Sequence, residues 1–200
     1  NARARTQSFL GAVSARVPCS AGCFTDVAVW GKASRYRLDD PAGELLFTAT
    51  RQETRAMSAG ARLGIAIQPT RWLELKSGAS FGLSSIAVDP LGPAETRARR
   101  QNVRAYAAVI AKPVEWLETR VEGSVASDFV TAKSGSLDHR TPAGRVGVAF
   151  HPLEGLSLFT TAARYGRVPT LGEQFGVGAT VLGNDQLRPE SGLALDVGGR

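Results

Sequence analysis

The chain has 200 residues, 43% of them hydrophobic and only 7% aromatic, with a formal net charge of +6. The apolar content permits a core. However, no run approaches the ~18–20 consecutive apolar residues of a membrane helix, and the opening NARAR has no apolar leader segment. Lys and Arg are scattered along the chain, clustering only in RARR at 97–100, which argues against a nucleic-acid surface.

Period-2 alternation predicts about nine strands, roughly at 5–17, 24–37, 45–67, 73–88, 100–111, 116–132, 142–151, 156–166 and 189–200. Between the first two lies PCSAGC. Cys19 and Cys23 have no third Cys or His nearby to complete a zinc site and lack redox-dithiol spacing. They are a candidate local disulfide in an oxidising compartment, with two free thiols as the alternative. GKAS at 31–34 mimics the end of a P-loop, but Asp26 stands where the preceding Gly is required.

From the third strand onward a weak repeat appears. AIQPTRWLELKSGAS (66–80), AKPVEWLETRVEGS (111–124) and FHPLEGLSLFTTAA (150–163) each centre on a proline, at 69, 113 and 152. Their flanks alternate, so each unit reads as a β-hairpin with a tight turn instead of a helical repeat. On the other side, longer polar connections are expected at 37–43, 88–100, 132–140 and 167–188, and the Cys19–Cys23 stretch falls on the short-turn side.

In these strands one face carries apolar residues, mostly aliphatic, such as Leu63, Ile65, Ile67, Leu75, Phe81 and Val103. The opposite face carries Arg62, Glu74, Lys76, Arg104, Glu118, Arg120, Glu122 and Asp128. Alternating runs of about 11–17 residues exceed the ~5–6 of a soluble strand and suffice to cross a bilayer. The expected fold is therefore all-β: part of an antiparallel transmembrane β-barrel, apolar outside and polar inside. Trp72 and Trp116 recur just past the tight turns, as a periplasmic aromatic girdle requires. The alternative is two core Trp residues capping a soluble sheet.

Near the C-terminus, FTTAARYGRVPTLGEQFG followed by GNDQLRPESGLALDVGGR resembles the signature of TonB-dependent outer-membrane receptors. The matching residues are Arg167, Pro169, Thr170, Glu173, Phe175 and Gly176, then Gly183, Asn184, Leu187, Pro189, Glu190, Ser191 and Gly198. Asp185 stands where the family usually has Pro, and Asp also favours turns. The resemblance implies a barrel of about 22 strands filled by a plug domain, in the outer membrane of a Gram-negative bacterium. Such a receptor imports siderophore-bound iron, cobalamin or a similar nutrient with energy delivered by a TonB-type protein. Residues 1–200 would be part of that one barrel domain, without its plug or closing strand.

The physical expectation for the motif is a structural, loop-to-strand role: Pro169 and Pro189 fix φ where the chain leaves and re-enters the sheet, and Arg167 is placed to pair with Glu190. His139 and His151 lack carboxylate or Ser partners at telling spacing, and Asp39, Asp40 and Asp89 read as solvated loop acids. No enzyme, cofactor or metal site is expected. The other readings carried are a passive porin or adhesin barrel and a soluble all-β binding module.

Overall fold

The computed structural model describes residues 2–42, 50–89, 96–133, 135–176 and 183–200. Nine strands run in chain order: β1 (Arg3–Ser20), β2 (Cys23–Asp40), β3 (Thr50–Thr70), β4 (Leu73–Asp89), β5 (Thr96–Val114), β6 (Leu117–Ala132), β7 (Gly135–Leu153), β8 (Leu156–Arg167) and β9 (Glu190–Gly199). One short helix, α1 (Leu171–Phe175), lies between β8 and β9. All nine strands form a single antiparallel sheet in sequence order, each paired with the next.

Register turns the sequence alternation into two continuous faces. One cross-strand row runs Ile67, Leu75, Val109, Val121, Val146, Ala162, Leu195. The row beside it holds Ala66, Lys76, Ala108, Glu122 and Arg145. The apolar face stays exposed, with Val29, Met57, Leu63, Phe81, Val103, Val121 and Val148 all open. Among the described residues no second sheet covers it, which rules out a sandwich. A contiguous apolar surface of this size needs a non-aqueous neighbour. On β3 the outward apolar residues run from Met57 to Ile67, ten steps or ~33 Å along the strand. At a tilt of ~40° that is ~25 Å of height, the apolar band of a transmembrane barrel.

The repeated prolines now have a physical account. Each sits where strand register shifts just before a two-residue turn: between Ile67 and Thr70, Ala111 and Val114, and Phe150 and Leu153. A proline cannot donate to the ladder, so it is tolerated where the ladder is already broken. The residue ahead of each proline does donate, to the preceding hairpin. Gln68 N bonds Gly22 O, Lys112 N bonds Trp72 O, and His151 N bonds Trp116 O, each at 2.7 Å. The three units are therefore linked turn to turn.

Three expected loop boundaries are corrected. The 88–100 stretch is strand again from Thr96, so RARR lies in β5, and the 132–140 stretch is strand from Gly135. The cause is that strands continue above the apolar band, where the outward face turns polar, so polarity there does not mark a loop. The expected loop at 37–43 is strand to Asp40, so Asp39 and Asp40 are strand residues and Asp40 is buried instead of solvated; residue 43 lies outside the described residues. Among the described residues no helix is long and apolar enough to cross a membrane, which has no bearing on crossing by strands.

Candidate functional site: the inward-folded loop

The segment after β8 turns back onto the polar face of the sheet. It starts with Arg167, Val168 and a buried Pro169. Thr170 is the helix N-cap, with extended φ −67° and ψ 158°. Glu173 N donates to its hydroxyl at 3.2 Å, and Thr170 N donates to Glu173 Oε2 at 2.7 Å. This reciprocal pair satisfies two amides that a helix start otherwise leaves open. At the other end, Gly176 adopts φ 85°, which an L side chain resists, and its N–H closes onto Gly172 O at 2.8 Å.

The returning chain locks onto α1. Asn184 N donates to Glu173 O at 3.0 Å, and the Asn184 side chain accepts from Gln186 N at 3.0 Å. This is an Asx turn, which favours Asn at this position. Arg167 ties the parts together: it donates to both Glu190 carboxylate oxygens at 3.3 Å and to Glu173. Arg167 and Glu190 are also the last β8–β9 register pair. One guanidinium thus joins the strand that leaves the sheet, the helix and the strand that returns.

Packing then seats this clasp on the wall. Leu171 and Phe175 pack on Ile86, Val88, Ala98 and Val130 of β4, β5 and β6. Arg100, on the same face, donates to Pro169 O and to Gln174 Oε1 at 3.0 Å. Its Nε lies 3.8 Å from an oxygen of Asp128, beyond hydrogen-bond reach. Beside α1 is a cavity of about 650 Å³, lined among others by Lys32, Ser34, Thr54, Ser84, Arg100 and Thr170. Gln174, 1% exposed, has an Nε2 without a hydrogen-bond partner among the described residues, as do Thr54 Oγ1 and Gln52 Oε1.

Elsewhere on this face charges pair locally: Lys76–Glu74 at 3.1 Å, Lys112–Glu118 at 2.8 Å and Arg120–Glu122 at 3.0 Å. Arg62 lies over the Tyr106 ring at 5.8 Å. Among the expected positions, Leu187 donates to Asn184 O at 3.3 Å, and Pro189 stands directly before β9. Cys19 and Cys23 are disulfide-bonded across the β1–β2 turn, with Cα atoms 5.3 Å apart. Trp72 and Trp116 occupy the second residue of their turns, half exposed, and Trp116 meets Phe150 edge to face at 5.4 Å. The histidines stay apart, His151 bonding Ser157 at 2.7 Å, and no metal-binding cluster occurs among the described residues. Arg100 and Gln174 were not singled out by sequence reading; Thr170-x-x-Glu173 was the available signal for the helix they hold.

The Glu173 carboxyl is held below its ordinary value of 4.5, first by the Thr170 amide and then by Arg167. A lowered folded-state value means its contribution is complete above the ordinary carboxylate range and disappears as pH falls through the depressed one. A nitroxide at Gln186 in the full-length protein is expected to stay immobile at neutral pH and become mobile on acidification below 4.5. With Glu173→Gln, mobility is expected to be higher at neutral pH and to lose that pH dependence. Thr170→Ala is expected to loosen the same segment by about 1 kcal/mol.

A one-layer antiparallel wall with an apolar outer band and a polar inner face is the wall of a transmembrane β-barrel. The particular family follows from comparison. The family described as "TonB dependent receptor-like, beta-barrel" matches residues 28–200, and the chain belongs to that family. Among solved structures, the copper transporter OprC superposes with TM-score 0.81 at 14% identity, covering 97% of this chain and 36% of that one. The FrpB iron transporter of Neisseria meningitidis gives 0.77 at 11%, covering 98% and 35%. The siderophore receptor PiuA of Acinetobacter baumannii gives 0.69 at 11%, covering 98% and 38%. The chain thus spans about a third of the length of these structures. No curated protein matches it in sequence.

Proposed function

We propose that these residues form part of the barrel wall of an outer-membrane receptor of a Gram-negative bacterium. The receptor takes up a scarce nutrient, such as siderophore-bound iron, cobalamin or a similar compound, with energy from a TonB-type protein. The observation that carries this reading is the signature segment folded inward: α1 rests on the inner wall beside a cavity that falls within the ~300–1,000 Å³ of small-molecule sites. A receptor needs groups that meet ligand, and a built segment beside a cavity of this size supplies them. The inner face, with Arg62, Lys76, Arg104, Arg120 and Glu122, is the contact surface for a plug supplied by the full-length chain. Arg167, Glu173, Asn184 and Glu190 hold the loop, while Arg100 and Thr54 offer polar atoms toward the cavity. The disulfide and the two tryptophans stabilise the turn rim.

The test uses the full-length protein in cells. Outer-membrane recovery and heat-modifiable gel migration are expected, as is uptake of a labelled ferric chelate or cobalamin that stops when the TonB-type protein is deleted. Uptake that continues without it would mean a passive pore. Recovery in the soluble periplasm would end both membrane readings.

A further inference from the structure

The outward face carries a pattern that transport through the lumen does not use. Above the apolar band, at the rim of the long connections, outward positions switch abruptly to arginine. On β2, Ala33 is followed by Arg35 and Arg37, and on β3, Met57 by Arg55. On β5, Val103 and Gln101 give way to Arg99 and Arg97. On β7, Pro142 gives way to Arg140. Register draws these into rows across the wall: Arg35 pairs with Arg55, Arg55 with Ala87, and Ala87 with Arg97, while Arg5 pairs with Arg37 directly above. At the opposite, tight-turn rim no outward strand residue is charged; Ile67, Leu73, Leu117 and Leu156 continue to the turns.

We infer that this arginine rim binds the phosphorylated headgroups of the lipid leaflet at the loop side. The inference rests on the barrel reading above. Three features favour a lipid over a dissolved anion. Arg55, Arg97 and Arg99 line one hollow of about 270 Å³ together with Met57 and Ala87, and Arg5, Arg35, Arg37 and Arg140 continue the line along the wall on either side, so the set suits an array of headgroups with one of them seated in the hollow. Arg35, Arg55 and Arg140 stand one outward step above Ala33, Met57 and Pro142, ~5 Å in height, so the same molecule meets guanidinium and apolar wall together. They are arginines throughout, whose planar forks match phosphate oxygens two at a time. Acidic neighbours exist but are outnumbered: Glu53 accepts from Arg35 at 2.5 Å and from Arg55, and Asp39 faces Arg3 and Arg51. Glu53 holds two guanidinium groups side by side, and each keeps further N–H donors.

The test titrates the full-length protein, in phosphatidylcholine nanodiscs, with bisphosphorylated lipid A, with dephosphorylated lipid A and with inorganic phosphate, reading bound lipid by native mass spectrometry. The bisphosphorylated form is expected to bind in preference, with affinity falling as salt rises. The triple change Arg35→Gln, Arg55→Gln, Arg97→Gln is expected to weaken it about a hundredfold, at roughly fivefold per arginine. The same positions changed to Lys should retain part of the affinity, which separates lost charge from misfolding. Arg62→Gln, Arg104→Gln, Arg120→Gln on the inner face should leave it unchanged. Equal binding of the dephosphorylated lipid, an unaffected Gln triple, or displacement by equimolar inorganic phosphate overturns the inference while the barrel reading stands. A protein that does not enter nanodiscs at all overturns both.

Discussion

Replacing Arg100 with methionine is expected to cost about 3–5 kcal/mol of stability, the effect of leaving a buried charge without compensation. Asp128 beside it is 5% exposed, and the Arg100 guanidinium lies 3.8 Å from its carboxylate. The same guanidinium supplies donors to Pro169 O and Gln174 Oε1, so the change also releases the start and middle of α1. Equilibrium urea unfolding of the full-length barrel in vesicles would read the loss. Adding Asp128→Asn to Arg100→Met should recover much of it, because the stranded charge is then gone. If Arg100→Met costs no more than an exposed substitution, about 0.5 kcal/mol, the loop is not seated as described.

Gly183→Ala is the second large effect. A Cβ at this position would sit 2.5 Å from Gln174 O and closer still to Gly176 N and Phe175 C. All three are backbone atoms of α1 and its C-cap, so no side-chain rotation relieves the overlap. The returning chain must lift away, breaking the Asn184 N to Glu173 O bond. Forced overpacking of this kind costs about 1–3 kcal/mol. Here it is local, so global unfolding should shift little, while chymotrypsin cleavage after Phe175, which is followed by Gly176, should accelerate and amide exchange in α1 should rise. Ligand uptake is expected to fall in parallel. An alanine variant with wild-type protection of α1 would contradict the contact.

Much of this was legible in the sequence because a barrel wall has a simple code. Leu63, Ile65 and Ile67 against Arg62 and Gly64 state the two faces directly, and the prolines at 69, 113 and 152 mark one rim. The tips of the strands were not legible. Around Arg97–Arg100 and Asp138–Arg140 the outward face turns polar above the band while Ala98, Val130 and Leu137 put apolar side chains on the inner face, so the band's alternation is lost while the ladder continues. The signature residues identified the family, yet their roles needed the fold. That Arg167 joins Glu173 and Glu190, and that Arg100 holds Pro169 across four strands, depends on a loop turning inward. Local spacing does not encode a contact between residues 69 positions apart. The arginine rim was visible residue by residue, but only register showed that Arg35, Arg55 and Arg97 lie on one line of the outer face.

The central claim is that one face of this sheet meets lipid and the other meets the lumen. It is tested most directly by placing single nitroxides at each position from Met57 to Ile67 of the full-length protein in vesicles. Collision with oxygen and with a water-soluble nickel complex is then measured at every site. Period-2 alternation is predicted, with Met57, Ala59, Ala61, Leu63, Ile65 and Ile67 oxygen-accessible and Ser58, Gly60, Arg62, Gly64 and Ala66 not. Accessibility without that alternation, or with the two sets exchanged, would contradict it.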